Sequence, residues 1–104
     1  MTPETFHRRR AAGEALLLLD VRTEEELERA SLEPCMHIPL HLLEQQLEQL
    51  APYRDQEIVC LCHHGIRSAT ACRYLRMQGF SHVHNLTGGI DAYALEVAPS
   101  IPRY

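Results

Sequence analysis

One short segment holds most of the reactive chemistry in this chain: Cys62-His63-His64-Gly65-Ile66-Arg67-Ser68. It follows the apolar run Ile58-Val59-Cys60-Leu61, so the Cys62 thiol stands at the exit of a strand buried on both faces. Gly65 allows backbone angles that other residues avoid, and helical spacing resumes at or near Arg67. A tight loop that runs into a helix turns successive amide N–H groups inward, and the helix dipole reinforces them. That is a cradle for an anion. A thiol placed there is expected to be acidic, and the thiolate is the reactive form. The same cradle suits a persulfide, whose terminal sulfur is also negative. Position alone also fits, less well, a small buried hydrophobe, a common setting for free cysteine.

Other chemistries fit the same residues less well. Cys60, Cys62, His63 and His64 suggest zinc, but structural zinc ligands come in pairs two to four residues apart with a second pair elsewhere. Cys60-x-Cys62 is too close and has no complement, so no metal is expected. Ser68 lacks a Gly-x-Ser-x-Gly elbow, and its hydroxyl is expected to serve the helix start. Cys60 should share a sheet face with Cys62 at a deeper level, and Cys72 lies on the apolar stripe of its helix; both read as core. Cys35 sits in an irregular, proline-flanked stretch that would expose it, where it could resolve a persulfide as a disulfide. His7, His37, His41, His82 and His84 have no evident partners.

These side chains need a frame. Thr2-Pro3-Glu4 opens a helix with a hydroxyl cap, an N1 proline and an early acid, and Gly13 lies where it would stop. Leu16 to Leu19 reads as a buried strand closed by Asp20-Val21-Arg22, and Thr23 with Glu26 forms a capping box. Met36-His37-Ile38 reads as a short strand. Leu43, Leu47 and Leu50 predict a helix from His41 to Leu50, ended by Pro52. Arg67 to Met77 predicts another helix, Val83 to Leu86 a strand, and Gly88-Gly89 a turn into a last helix through Leu95. Strands alternating with helices imply an α/β fold: a mostly parallel sheet with helices on both faces. Ligands bind such sheets beyond the carboxyl ends of the strands, which is where Cys62 lies.

The 104 residues suit one domain over 1–104, and 45% hydrophobic with 23% charged is ordinary globular composition. A net charge of −4 argues against nucleic acid, since a duplex binder needs a basic face. The longest apolar run, Ala15 to Leu19, is too short to span a membrane or to form a signal-peptide core. Four cysteines without an export signal read as thiols, and the cytoplasm is the expected compartment.

Four segments together resemble a single-domain rhodanese-like protein: Asp20-Val21-Arg22, the loop from Cys62 to Ser68, Tyr74-Leu75-Arg76-Met77-Gln78-Gly79-Phe80, and Asn85-Leu86-Thr87-Gly88-Gly89-Ile90. The resemblance runs from about Thr2 to Leu95 and implies a rhodanese fold with sulfane-sulfur transfer through a cysteine persulfide. It places Cys62 as the catalytic cysteine and His63, His64, Gly65, Ile66 and Arg67 on the loop whose amides surround the persulfide. Gly88-Gly89 falls on the turn bordering that pocket, and Asp20 with Arg22 matches a motif read as structural. The chain departs from the family at Ala30 to Cys35, where the family often has Gly-His-Ile-Pro-Gly-Ala. It departs again at Tyr93, often tryptophan, and at His63, often Arg or Lys. Phosphatases on a related fold separate cysteine from arginine by five residues, whereas four separate Cys62 from Arg67. The shorter ring of amides suits one sulfur better than a tetrahedral phosphate.

The resemblance implies a ping-pong sulfurtransferase: Cys62 takes the outer sulfur of a donor such as thiosulfate or a protein persulfide. Loop amides and Arg67 stabilise the product anion, and a thiophilic acceptor removes the sulfur. No metal or organic cofactor is required. The alternatives are a non-catalytic interaction module, or a sulfur relay for an adenylating enzyme in cofactor or tRNA thiolation. The relay is suggested because Asp91 to Tyr104 is similar to the ends of rhodanese domains fused to such enzymes. His63 and His64 are expected to gain charge near the free-imidazole range of about pH 6.5 and to draw an anionic donor inward.

Overall fold

The computed structural model describes all residues from Met1 to Tyr104. Four parallel strands form its sheet in the order β2-β1-β3-β4: β1 Leu16–Asp20, β2 Met36–His37, β3 Glu57–Leu61 and β4 Val83–Asn85. β1 runs level with β3 from Leu16 opposite Glu57 to Asp20 opposite Leu61. The two central strands read as unbroken apolar runs because both of their faces are covered.

Alternate residues serve different layers, as a two-residue period requires. Leu19, Ile58, Cys60 and Cys62 face one core, with Ala71, Cys72 and Leu75 of α3 (Ile66–Met77). Leu18, Val59 and Leu61 face the other, with Phe6 of α1 (Pro3–Ala11) and Ile90 and Tyr93 of α4 (Gly89–Glu96). The α/β fold with helices on both faces is thus present. Thr2 caps α1 by accepting from the Thr5 amide, and Thr23 and Glu26 form the reciprocal capping box of α2 (Glu24–Arg29).

The stretch from His41 to Leu50 departs from expectation. It is not one α-helix but two 3₁₀ segments, Leu40–Leu42 and Leu47–Tyr53, and Pro52 lies within the second. Leu43 and Leu50 are buried as anticipated. Leu47 and Leu50, three residues apart, fall on one side in either winding, so the leucines identified the inward face but not the helical pitch. Pro52 also lacks the N–H that an α-turn would send to the Glu48 carbonyl.

Candidate active site

β1 ends on a pair of charges that no water reaches. Asp20 and Arg22 are both 0% exposed, with Nη2 to Oδ2 at 2.7 Å, and the Arg22 amide donates to Oδ1 at 3.0 Å. A buried ion pair needs its remaining hydrogen-bond capacity filled. Arg22 Nη1 donates onward to the Tyr104 hydroxyl at 2.8 Å, so the reading of Asp20-Val21-Arg22 as structural holds.

Next to this pair, β3 delivers Cys62 at 1% exposure into the loop before α3. The loop's carbonyls are drawn away from the sulfur. Ile90 and Asp91 at the start of α4 donate their amides to the Cys62 and His63 carbonyls at 2.9 and 3.1 Å, and Asn85 Nδ2 donates to the Gly65 carbonyl at 2.9 Å. Gly89 is required here. A Cβ on it would lie 2.3 Å from the His63 carbonyl oxygen and 2.5 Å from that of Cys62. Gly65, at φ 105°, makes the left-handed turn into α3 and donates its amide to Cys62 Sγ at 3.0 Å. The amides of His63, His64, Ile66, Arg67 and Ser68 donate to no acceptor in the protein. They are the donors available to an anion at this loop.

Ser68 does not serve the helix end as expected from sequence. Its side chain is fully buried inside α3, with Oγ 3.2 Å from Cys62 Sγ and 2.5 Å from Asn85 Oδ1. Asn85 thus receives the serine proton with its oxygen and holds the Gly65 carbonyl with its nitrogen. Asn85→Ala is expected to cost about 1–2 kcal/mol in urea unfolding. Any sulfur transfer at Cys62 should slow roughly tenfold or more, because the loop loses its brace.

The side chains of the loop go elsewhere. Ile66 is 80% exposed, so it offers the site only its backbone. His64 points outward, with Nδ1 3.9 Å from Asp91 Oδ2. Arg67 does not direct its guanidinium to the sulfur but forks onto Glu26 of α2, at 2.6 and 2.8 Å. With the Tyr104 hydroxyl, it holds the Glu26 carboxyl well below the usual carboxylate range, against the opposing effect of burial. His63 is half-buried, its imidazole lying between His64 at 3.9 Å and the Tyr104 ring at 3.9 Å and 6°. Burial, then the neighbouring His64, pushes the His63 pKa down. Protonation of His63 is therefore displaced below the free-imidazole range, unlike the sequence-based expectation.

Residues 2–96 match the family model described as the rhodanese-like domain. This chain belongs to the rhodanese-like family. The domain is 35% identical over 98 residues to a sulfurtransferase of Allochromatium vinosum, spanning 94% of this chain and 90% of that one. It is 36% identical over 97 residues to the adenylyltransferase and sulfurtransferase MOCS3-2 of Zea mays, but covers only 20% of that longer protein. A rhodanese-related protein from Thermoplasma volcanium superposes with a TM-score of 0.85 at 27% identity, over 100% of this chain and 97% of that chain. Sulfur transfer is the general chemistry that this family membership supports.

Elsewhere in this rhodanese-like domain, Cys60 and Cys72 lie in the core with Cys62, as the apolar spacing indicated. Cys35 does not fit a resolving role. Its segment packs against the opposite core, and burial, then Glu33, pushes its thiol up to about 11. Register puts it level with Leu18, two strands across and three residues short of Cys62. His7 reaches the Tyr93 hydroxyl at 3.1 Å, His37 the Arg22 carbonyl at 2.7 Å, and His84 approaches Glu57 at 3.6 Å. Glu26, Asn85 and Tyr104 were not anticipated as part of the site. Only the capping box singled out Glu26, and it marked a helix start.

Proposed function

We propose that this domain is a rhodanese-type sulfurtransferase that carries sulfane sulfur as a persulfide on Cys62. The Gly65 amide 3.0 Å from Sγ, amid loop amides with no protein acceptor, supports this reading most directly. The Cys62 thiolate attacks the outer sulfur of thiosulfate; the Sγ–S bond forms as the donor S–S bond breaks, and sulfite leaves with the electron pair. Charge moves to the terminal sulfur, which enters the field of the loop amides. An acceptor nucleophile then takes that sulfur and restores the thiolate; with cyanide the product is thiocyanate. Ser68, which can turn its proton from Asn85 to sulfur, supplies a donor as the charge on Sγ varies. Arg67, occupied by Glu26, contributes its amide and its field rather than a direct bond.

The Zea mays relative favours a second version of the same chemistry, in which an adenylating or sulfur-carrier protein is donor or acceptor. No helix is long and apolar enough to cross a membrane. Four unpaired cysteines suit the reducing cytoplasm as the working compartment. Mass spectrometry after incubation with thiosulfate is expected to show an addition of about 32 Da, one sulfur atom, lost on treatment with cyanide or dithiothreitol. An unchanged mass with thiosulfate and with an organic persulfide would favour a non-catalytic interaction module.

A further inference from the structure

Three arginines surround the mouth of the Cys62 loop, and each is already matched by a carboxylate. Arg22 is paired with Asp20, Arg67 with Glu26, and Arg103 of the tail with Asp91 at 2.9 Å. Tyr104 joins these pairs. Its hydroxyl donates to Glu26 Oε2 at 2.8 Å while accepting from Arg22 Nη1 at 2.8 Å. Its ring lies flat on His63, whose Nε2 is buried and has no partner. The tail after α4 thus folds back over His63, one of the two imidazoles of the loop.

We propose that Tyr104 is a specificity-determining residue that keeps the sulfur site selective for organic persulfides over the thiosulfate dianion, by covering His63 and completing the pairing of Arg22, Glu26 and Arg67. This rests on the sulfurtransferase reading above. With each guanidinium neutralised and His63 uncharged, the mouth offers a dianion no excess positive charge. An organic persulfide carries at most one negative charge on its terminal sulfur and needs less, and its protonated form R–S–SH needs none. Cys62 thiolate attacks its outer sulfur, the donor S–S bond breaks, and the leaving thiolate takes up the proton that the outer sulfur gives up. The products are the Cys62 persulfide anion and RSH, and one negative charge is present throughout.

The charged and titratable groups facing His63 are His64 on the loop, Glu26 on α2, Asp91 on α4 and Tyr104 on the tail. Burial, first among the causes, and His64 lower its pKa; the Tyr104 backbone, which a side-chain substitution keeps, and the two carboxylates oppose them. Uncovering the ring removes part of the burial and leaves the carboxylates, so the His63 midpoint must rise. Falling pH then adds a cation at the mouth.

The test compares wild type, Tyr104→Phe and Tyr104→Ala. The His63 midpoint is followed by imidazole NMR, and kcat/KM is measured for thiosulfate and for the persulfide of 2-mercaptoethanol, whose carrier is uncharged, between pH 8 and 6. In Tyr104→Ala the midpoint should rise toward the free-imidazole range. The thiosulfate-to-persulfide ratio of kcat/KM should grow roughly fivefold at pH 6 relative to wild type, about the effect of one added charge at a partly exposed site. Tyr104→Phe keeps the stack, so its His63 midpoint should stay with wild type. Should Tyr104→Ala fail to fold, Tyr104→Leu, which cannot lie flat on the imidazole, should move both readouts the same way by less. A midpoint and donor ratio indifferent to the folded Ala or Leu variant overturn the role of Tyr104. A wild type that forms no persulfide with either donor overturns instead the reading on which it rests.

Discussion

Cys62→Ser is expected to lower transfer from thiosulfate to cyanide by at least about a thousandfold, because serine supplies no sulfur nucleophile and cannot carry a persulfide. The comparison that gives this result meaning is with Cys60→Ser and Cys72→Ser. Both thiols lie in the same buried cluster as Cys62, so each substitution places a hydroxyl in an apolar core. Each should cost about 1–3 kcal/mol in stability yet retain transfer in the folded protein. Neither Cys60 on β3 nor Cys72 within α3 has the Gly65 turn and its unpaired amides behind it. Thiocyanate formation, followed colorimetrically, reads activity, and urea unfolding reads stability. Transfer persisting in Cys62→Ser, or lost in folded Cys72→Ser, would move the persulfide off Cys62.

Arg22→Met should give the largest loss of stability, about 3–5 kcal/mol, since it leaves the Asp20 carboxylate buried without its guanidinium. Asp20 is 0% exposed and keeps the Arg22 backbone amide on Oδ1, but one such donor does not replace the fork. The same change removes the donor to the Tyr104 hydroxyl. The midpoint of thermal unfolding should fall by more than about 12 °C for a domain of this size. The double variant Asp20→Val with Arg22→Met is expected to recover at least half of the loss, because an apolar pair imposes no desolvation cost. A double variant no more stable than Arg22→Met would show that the arginine acts through Tyr104 and Glu26 rather than through the buried carboxylate.

The parts of this protein that local rules govern were legible from residues alone. Thr2-Pro3 and Thr23-x-x-Glu26 announced helix starts because caps satisfy amides within one turn. The apolar runs at Leu16 and Ile58 announced central strands because only a strand covered on both faces tolerates them. Cys62 before Gly65 marked the turn from β3 into α3 for the same local reason. Where two windings satisfy one spacing, sequence does not choose between them. Leu43, Leu47 and Leu50 therefore indicated an inward face correctly and an α-helix incorrectly.

The tertiary structure decided where the long side chains of the site point. Arg67 follows Cys62 in the motif and was expected to face the sulfur, yet its fork goes to Glu26, 41 positions away in the chain. Asn85 braces a loop 20 residues earlier, and Tyr104 covers His63 and reaches back to Glu26 across 78 positions. Capping, turn formation and apolar periodicity act within a few residues, so a single sequence displays them directly. Pairing of charges and stacking of rings depend on which distant backbones the parallel sheet brings together. That arrangement exists only once β1, β3 and α4 have packed around the Cys62 loop.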